Sequence, residues 1–336
     1  MIGRGILRGG ALTLAAALAV AGPTGCDDGD YDEQVVDEGR ELLENGIHFN
    51  GIHFNGIHFN GIHFNGTWTG AVPGWLEFLG MYLNGVSVKN LKMNGNRIVG
   101  TVGGVYHSGK QFEGAIVDVD YIDMKEIAAY LVQFRLASSS VIITAIGTEL
   151  DAFTIYYRIP GSVEVGEWQP TCPDGAPAIT LKGQWDPVTW DRISDEGVTL
   201  ACVGGILADC AIWGYDPAVQ DYSGEDLARY HDACMRAKPA DYCGDRTPHT
   251  EDGTPVDFYD DLDIQESETS WEIEAMWGEN GAICLNQPRK LEYTKDPMGD
   301  IYIGCEIPDC VDVDGDGDID LDDYPDALIG TKAQPS

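Results

Sequence analysis

Eight cysteines fall between Cys172 and Cys310, behind a stretch from residue 27 to 171 that has none. Thiols at that density persist as disulfides only in an oxidising compartment, and they let a loop-rich segment fold without a large core. The pattern therefore implies export and a disulfide-stabilised C-terminal module held by Cys172, Cys202, Cys210, Cys234, Cys243, Cys284, Cys305 and Cys310. Short separations draw attention to Cys202–Cys210 and Cys234–Cys243, but the sequence alone selects no pairing.

The ninth cysteine, Cys26, stands apart. Arg4 and Arg8 precede an uncharged run from Ala11 to Ala21, a basic flank and apolar core of secretory-signal length, too short to span a bilayer. The run Gly22-Pro23-Thr24-Gly25-Cys26 resembles a bacterial lipobox, in which small residues precede a cysteine that is lipidated. Pro23 departs from the usual aliphatic residue, and Ala19-Val20-Ala21 offers an ordinary cleavage site instead. Spending Cys26 on a lipid leaves an even number for bridges. The expectation is a signal peptide over 1–25 and attachment to an envelope membrane, outer or inner, through a lipid on Cys26. Secretion is the alternative.

The net charge is −36 and the pI near 4.2. Such a surface repels phosphate backbones, which excludes nucleic acid as a partner, and it favours divalent cations or cationic groups. With 43% hydrophobic residues the chain still buries a sizeable core, and its length suits about two domains.

Residues 26–44 read as an acidic tether. A period of five follows over 45–102: NGIHF recurs through Phe64, residues 66–81 interrupt, and Leu83, Val88, Met93 and Ile98 resume the spacing. An apolar residue every five positions resembles pentapeptide repeats, which wind into a square β-helix. The tract supplies too few coils to settle between a short β-helix and an irregular spacer. His48, His53, His58 and His63 look like metal ligands, yet a spacing of five turns successive side chains away from one another in every regular conformation.

From 103 to 165 the chain reads as strands. Phe153, Ile155, Tyr157 and Ile159 alternate with more polar positions, Val141–Ile146 is β-branched, and Met124–Phe134 suits helix or strand. Ala178–Asp186 reads as a strand, Ala201–Cys210 as a short helix, and Ser223-x-x-Asp226 as the start of a helix carrying Cys234, with serine as the cap.

The run Ala240-Asp241-Tyr242-Cys243-Gly244-Asp245, with ITLKGQWD, ACVGGILADCAIWGYDP and WGENGAICL in the same order, resembles the ADYC domain, covering roughly 166–310. That domain occurs in exported and lipid-anchored bacterial proteins with upstream Asn-Gly pentapeptides. The resemblance implies an envelope protein and assigns no activity to any residue. Within this module His231, Asp241 and His249 are the weak catalytic candidates, but no nucleophile motif accompanies them. His231, Cys234, Cys243 and His249 supply zinc-type ligands at a spacing that fits no familiar finger. The plainer reading makes Asp241 a turn cap, Tyr242 a core residue and the histidines satisfied or surface groups.

Residues 311–336 hold the sharpest motif. Read as a twelve-residue calcium loop, Asp312, Asp314 and Asp316 take positions 1, 3 and 5, and Gly317 makes the turn at 6. Asp318 offers its carbonyl at 7, Asp320 acts at 9 directly or through water, and Asp323 closes at 12. Asp rather than Glu at 12, no entering helix and no partner loop imply weak Ca²⁺ affinity, about 10⁻⁴–10⁻³ M. An acidic tail without an ion is the alternative. The fold class expected is β-rich α+β. The function expected is a lipid-anchored envelope protein with a binding or structural role toward an unidentified protein or glycan, and an exported hydrolase is the runner-up.

Overall fold

The structure, a computed structural model, describes residues 74–123, 128–161, 167–185, 190–220, 226–251, 253–267, 269–290 and 303–334. It also describes Gly224 and the backbone of short strands β1 (Ile47–Phe49), β2 (Ile57–Phe59) and β3 (Ile62–Asn65). The signal segment, Cys26 and the acidic tether lie outside the described residues, as do the side chains of the four repeat histidines.

The described residues are β-rich, with two short α-helices. Strands β4 (Gly74–Leu83), β5 (Val86–Asn94), β6 (Arg97–Val102), β7 (Val105–Ser108), β8 (Ile116–Asp123), β9 (Ala128–Ile143), β10 (Glu149–Arg158) and β11 (Gln169–Pro170) come first. Strands β12 (Ala178–Trp185) and β13 (Arg192–Cys202) lead into helices α1 (Ile206–Ile212) and α2 (Leu227–Ala237). Strands β14 (Pro255–Asp260), β15 (Glu272–Gly278), β16 (Gly281–Leu285) and β17 (Ile329–Ala333) finish the fold. The first set joins β12 and β13 in one sheet ordered β2-β3-β13-β12-β10-β9-β8-β4-β5-β6-β7, with β11 on β10. The second sheet runs β1-β14-β17-β15-β16.

The large sheet rolls so that β6 lies across β10 and β12, and Thr180 Oγ1 donates to the carbonyl of Asn96 in the β5–β6 turn. Phe112, Val119, Phe134, Phe153, Ile155 and Leu200 fill the inside of the roll. The outside of β10 and β12, through Leu150, Ala152, Ile179 and Leu181, packs on both helices and on β14, β15 and β17. Burial on both faces accounts for four consecutive buried positions in β10, Leu150 to Phe153, with Asp151 among them. β10 and β12 pair across the expected boundary between the β-rich stretch of 103–165 and the cysteine module that follows.

Several expectations change. Residues 83–102 form antiparallel hairpins, not the coils of a β-helix. Asn84 and Gly85 both take positive φ (51° and 77°), the geometry of a tight hairpin turn that reverses the chain. Leu83, Val88, Met93 and Ile98 nevertheless share one core. Met93 and Ile98 are direct cross-strand partners, and a register shift between Lys89 and Lys92, with Asn90 at φ 53°, lets Val88 and Met93 face the same core. Residues 128–143 settle as strand. Ala201 and Cys202 end β13, so α1 begins only at Ile206. Asp226 itself caps α2, its carboxylate accepting the Ala228 N–H at 3.0 Å, and Ser223 lies outside the described residues.

All eight C-terminal cysteines are paired, as Cys172–Cys202, Cys210–Cys234, Cys243–Cys305 and Cys284–Cys310. Neither short-range pairing forms. Cys202 is held on β13 facing the roll, whereas Cys210 sits on α1 facing α2. Closing loops of 24 to 62 residues stabilises the fold by about 3–4 kcal/mol per bridge in a chain-entropy account.

Candidate functional site

The turn after α2 carries the ADYC run, and its polar groups are consumed internally. Arg236 Nη1 donates to Asp241 Oδ2 at 2.9 Å, and the Arg246 N–H donates to Asp241 Oδ1 at 2.9 Å. Burial pushes the Asp241 carboxyl above its usual range, against the pull of Arg236 and the Arg246 N–H. Tyr242 stacks on Trp277 with ring centroids 5.3 Å apart and gives its hydroxyl proton to Glu274 at 2.7 Å. Arg289 binds Glu274 through Nε and Nη2, and its guanidinium also caps the carbonyls of Ala237 and Lys238 at the end of α2. A cation at that helix end also meets the negative pole of the helix dipole. Gly244, at φ 67°, passes so close to Asn280 that a Cβ would stand 1.9 Å from its carbonyl oxygen.

The structure does not gather the catalytic candidates into an open site. His249 Nδ1 lies 3.0 Å from the carbonyl of Ala240, and its ring tilts against Tyr242. His231 Nε2 lies 3.0 Å from the carbonyl of Leu207, and its ring packs on Trp185. His231, Asp241 and His249 are all buried. The zinc reading fails on chemistry, because Cys234 and Cys243 are each spent in a different disulfide.

A second polar cluster escaped the sequence reading. Asp216, fully enclosed after α1, has one oxygen on the Ala218 N–H at 2.9 Å and the other without a partner. Burial pushes it up to about 6, opposed by the Ala218 N–H and by neighbouring His231, Arg192 and Asn96. His231 Nδ1, Arg192 Nε and Asn96 Oδ1 are likewise enclosed without hydrogen-bond partners, although the Asp195 carboxylate stands 3.5 Å from Arg192 Nε and that of Asp232 3.8 Å from His231 Nδ1. These groups come from four separate segments at the seam between the rolled sheet and the helices, so no local motif announces them.

The C-terminal loop folds around its own carboxylates. Asp312 accepts the N–H groups of Gly315 (2.6 Å) and Gly317 (2.9 Å), and Asp323 accepts those of Val313 (2.6 Å) and Asp314 (3.0 Å). Desolvation works to raise Asp323, but the N–H groups of Asp314, Val313 and Asp320 prevail and hold it below its ordinary range. Carboxylate oxygens of Asp312, Asp314 and Asp323 lie within 4.8 Å of one another. Asp316, Asp318 and Asp320 stay outside that trio, Asp316 and Asp320 each accepting the backbone N–H two residues on. Ile319, Leu321 and Tyr324 pack beside Cys284–Cys310 and fix the loop to the second sheet.

Among the described residues no helix is long and apolar enough to cross a membrane. Comparison with curated proteins and with solved structures found no match. The ADYC domain family matches residues 109–291, which includes the strands from β8 to β16 and both helices. That span begins well before the first C-terminal cysteine, in keeping with a sheet that unites β8–β10 with β12 and β13. This chain belongs to the ADYC domain family.

Proposed function

We propose that the chain is an exported, lipid-anchored cell-envelope protein whose ADYC domain is a rigid scaffold for binding, with one Ca²⁺ held by the C-terminal loop. One observation carries the scaffold reading: Asp241, Tyr242 and Cys243 are committed to Arg236 and Arg246, to Glu274 and Arg289, and to Cys305. A signature spent wholly on internal partners specifies a fold and leaves no group free for a substrate. Four closed bridges suit an oxidising compartment, which agrees with the leader and with Cys26 as lipid site. The period-five tract upstream would act as a spacer between membrane and domain.

The donor set of the loop fits a hard cation. Asp312, Asp314 and Asp323 offer carboxylate oxygens, Asp318 a backbone carbonyl, and Asp316 and Asp320 further oxygens after side-chain rotation. Calorimetry of the mature protein tests this. Saturable heat at millimolar Ca²⁺, lost in Asp312→Ala, is expected, and an unchanged trace sinks the calcium reading. Intact-mass analysis before and after reduction tests the rest: a lipid on the N-terminal cysteine and an eight-dalton gain are expected.

The second reading, an exported hydrolase with its site in 166–310, now leans on Asp216 and His231 rather than on Asp241. Both are enclosed. Hydrolysis of a chromogenic ester or glycoside panel, abolished by Asp216→Asn with the fold intact, would favour it.

A further inference from the structure

In a chain with 56 acidic and 20 basic residues, a guanidinium without a carboxylate partner is not explained by scarcity of acids. Arg97, Arg192, Arg229, Arg236 and Arg289 each have one. Arg246, whose Nε donates to the Asp245 carbonyl, and Arg135 and Arg158, neighbours on the outer face of β9 and β10, form no ion pair among the described residues. Arg135 stands opposite Tyr156 in the ladder and Arg158 opposite Gln133. The Arg135 guanidinium lies 5.4 Å from the Tyr156 ring centre and 4.8 Å from that of Trp168, and Arg158 lies 4.5 Å from Trp168.

Stacking uses the faces of a guanidinium and leaves its N–H edges to hydrogen-bond. Arg158 spends Nε and Nη2 on Gln133 Oε1, at 2.9 and 2.7 Å, and the amide of Gln133 reaches Asp118 Oδ1 at 2.9 Å. Arg135 Nε is enclosed and has no acceptor. Two like charges are thus held beside one indole, with Arg135 Nε unmet, on a partly exposed sheet face.

We propose that Arg135, Arg158, Trp168 and Tyr156 form an anion-binding site for a small ligand that presents one planar carboxylate. A planar carboxylate matches the fork of a guanidinium edge with two parallel hydrogen bonds. The charge of −36 repels extended polyanions at long range, whereas a single carboxylate in contact, within a Debye length of about 8 Å, feels chiefly the two arginines. The proposal rests on the binding role inferred above but uses neither the calcium loop nor the lipid.

The test is NMR titration of the full mature chain with glucuronate, following the arginine Nε–H and indole N–H signals, with glucose and inorganic phosphate as controls. Saturable shifts at Arg135, Arg158 and Trp168 are expected with glucuronate and not with glucose. Affinity should fall at least tenfold in Arg135→Gln and in Arg158→Gln, and also in Arg135→Lys, which keeps the charge and loses the fork. Arg97→Gln should bind as the parent does. Near-UV circular dichroism checks that each variant is folded, and the second arginine variant serves if the first is not. Absence of a saturable shift, an equal response to glucose, tighter binding of phosphate, or binding unaffected in a folded arginine variant would each overturn the site. Calcium calorimetry on the same sample reads the loop independently, so either result stands without the other.

Discussion

Tyr242 and Glu274 meet hydroxyl to carboxylate at 2.7 Å with both residues buried, and the N–H of Arg289 donates to the same phenolic oxygen at 2.7 Å. Tyr242 thereby joins the turn after α2 to β15 and to the segment following β16. Tyr242→Phe preserves the packing on Trp277 but leaves the Arg289 N–H without an acceptor and Glu274 without one of its donors. The expected cost is about 1–3 kcal/mol in urea unfolding, the penalty for a buried polar group left unmet. A loss under about 0.5 kcal/mol would show that water replaces the hydroxyl.

Gly244 and Gly253 provide a matched pair. Both take positive φ (67° and 79°), but a Cβ at Gly253 meets nothing within 4 Å, whereas at Gly244 it strikes the Asn280 carbonyl. Gly253→Ala should cost about 1 kcal/mol from backbone strain. Gly244→Ala should cost more than about 3 kcal/mol, read as melting temperature and yield of folded protein, because backbone must move.

Asp216 makes stability depend on pH with a definite sign. Its folded pKa, about 6, exceeds the unfolded value of 3.8, so the folded state binds the proton more tightly. The buried carboxylate destabilises the fold above pH 6, and the penalty is relieved as pH falls from about 7 toward 4. The contribution is at most about 3 kcal/mol, from 1.36 kcal/mol per pKa unit. Asp216→Asn keeps an oxygen for the Ala218 N–H and should be the more stable protein at pH 8, with the advantage gone near pH 4. Parallel pH–stability curves for the two proteins would contradict this.

For the C-terminal loop, a ligand at ten times its dissociation constant stabilises by about 1.4 kcal/mol. Millimolar Ca²⁺ should therefore raise the melting temperature of the mature protein by a few degrees, and the rise should vanish in Asp323→Asn.

What the residues declare by themselves is local or compositional. The cysteine count implies disulfides, apolar alternation from Phe153 to Tyr157 marks β10, and one ordered run of motifs identifies the family. The aspartate spacing of 312–323 encodes its turns, since each hydrogen bond there spans no more than ten residues. Tertiary structure decided the rest, because the deciding contacts join residues far apart in the chain. Which cysteines pair follows from the faces of β13, α1 and α2. Whether Val88 and Met93 share a face follows from an irregularity in β5. Asp216 gains His231, Arg192 and Asn96 as neighbours only where the rolled sheet meets the helices. The ADYC run is visible as a string of letters, but that its side chains face inward, toward Glu274, Arg289 and Cys305, is a property of the folded chain.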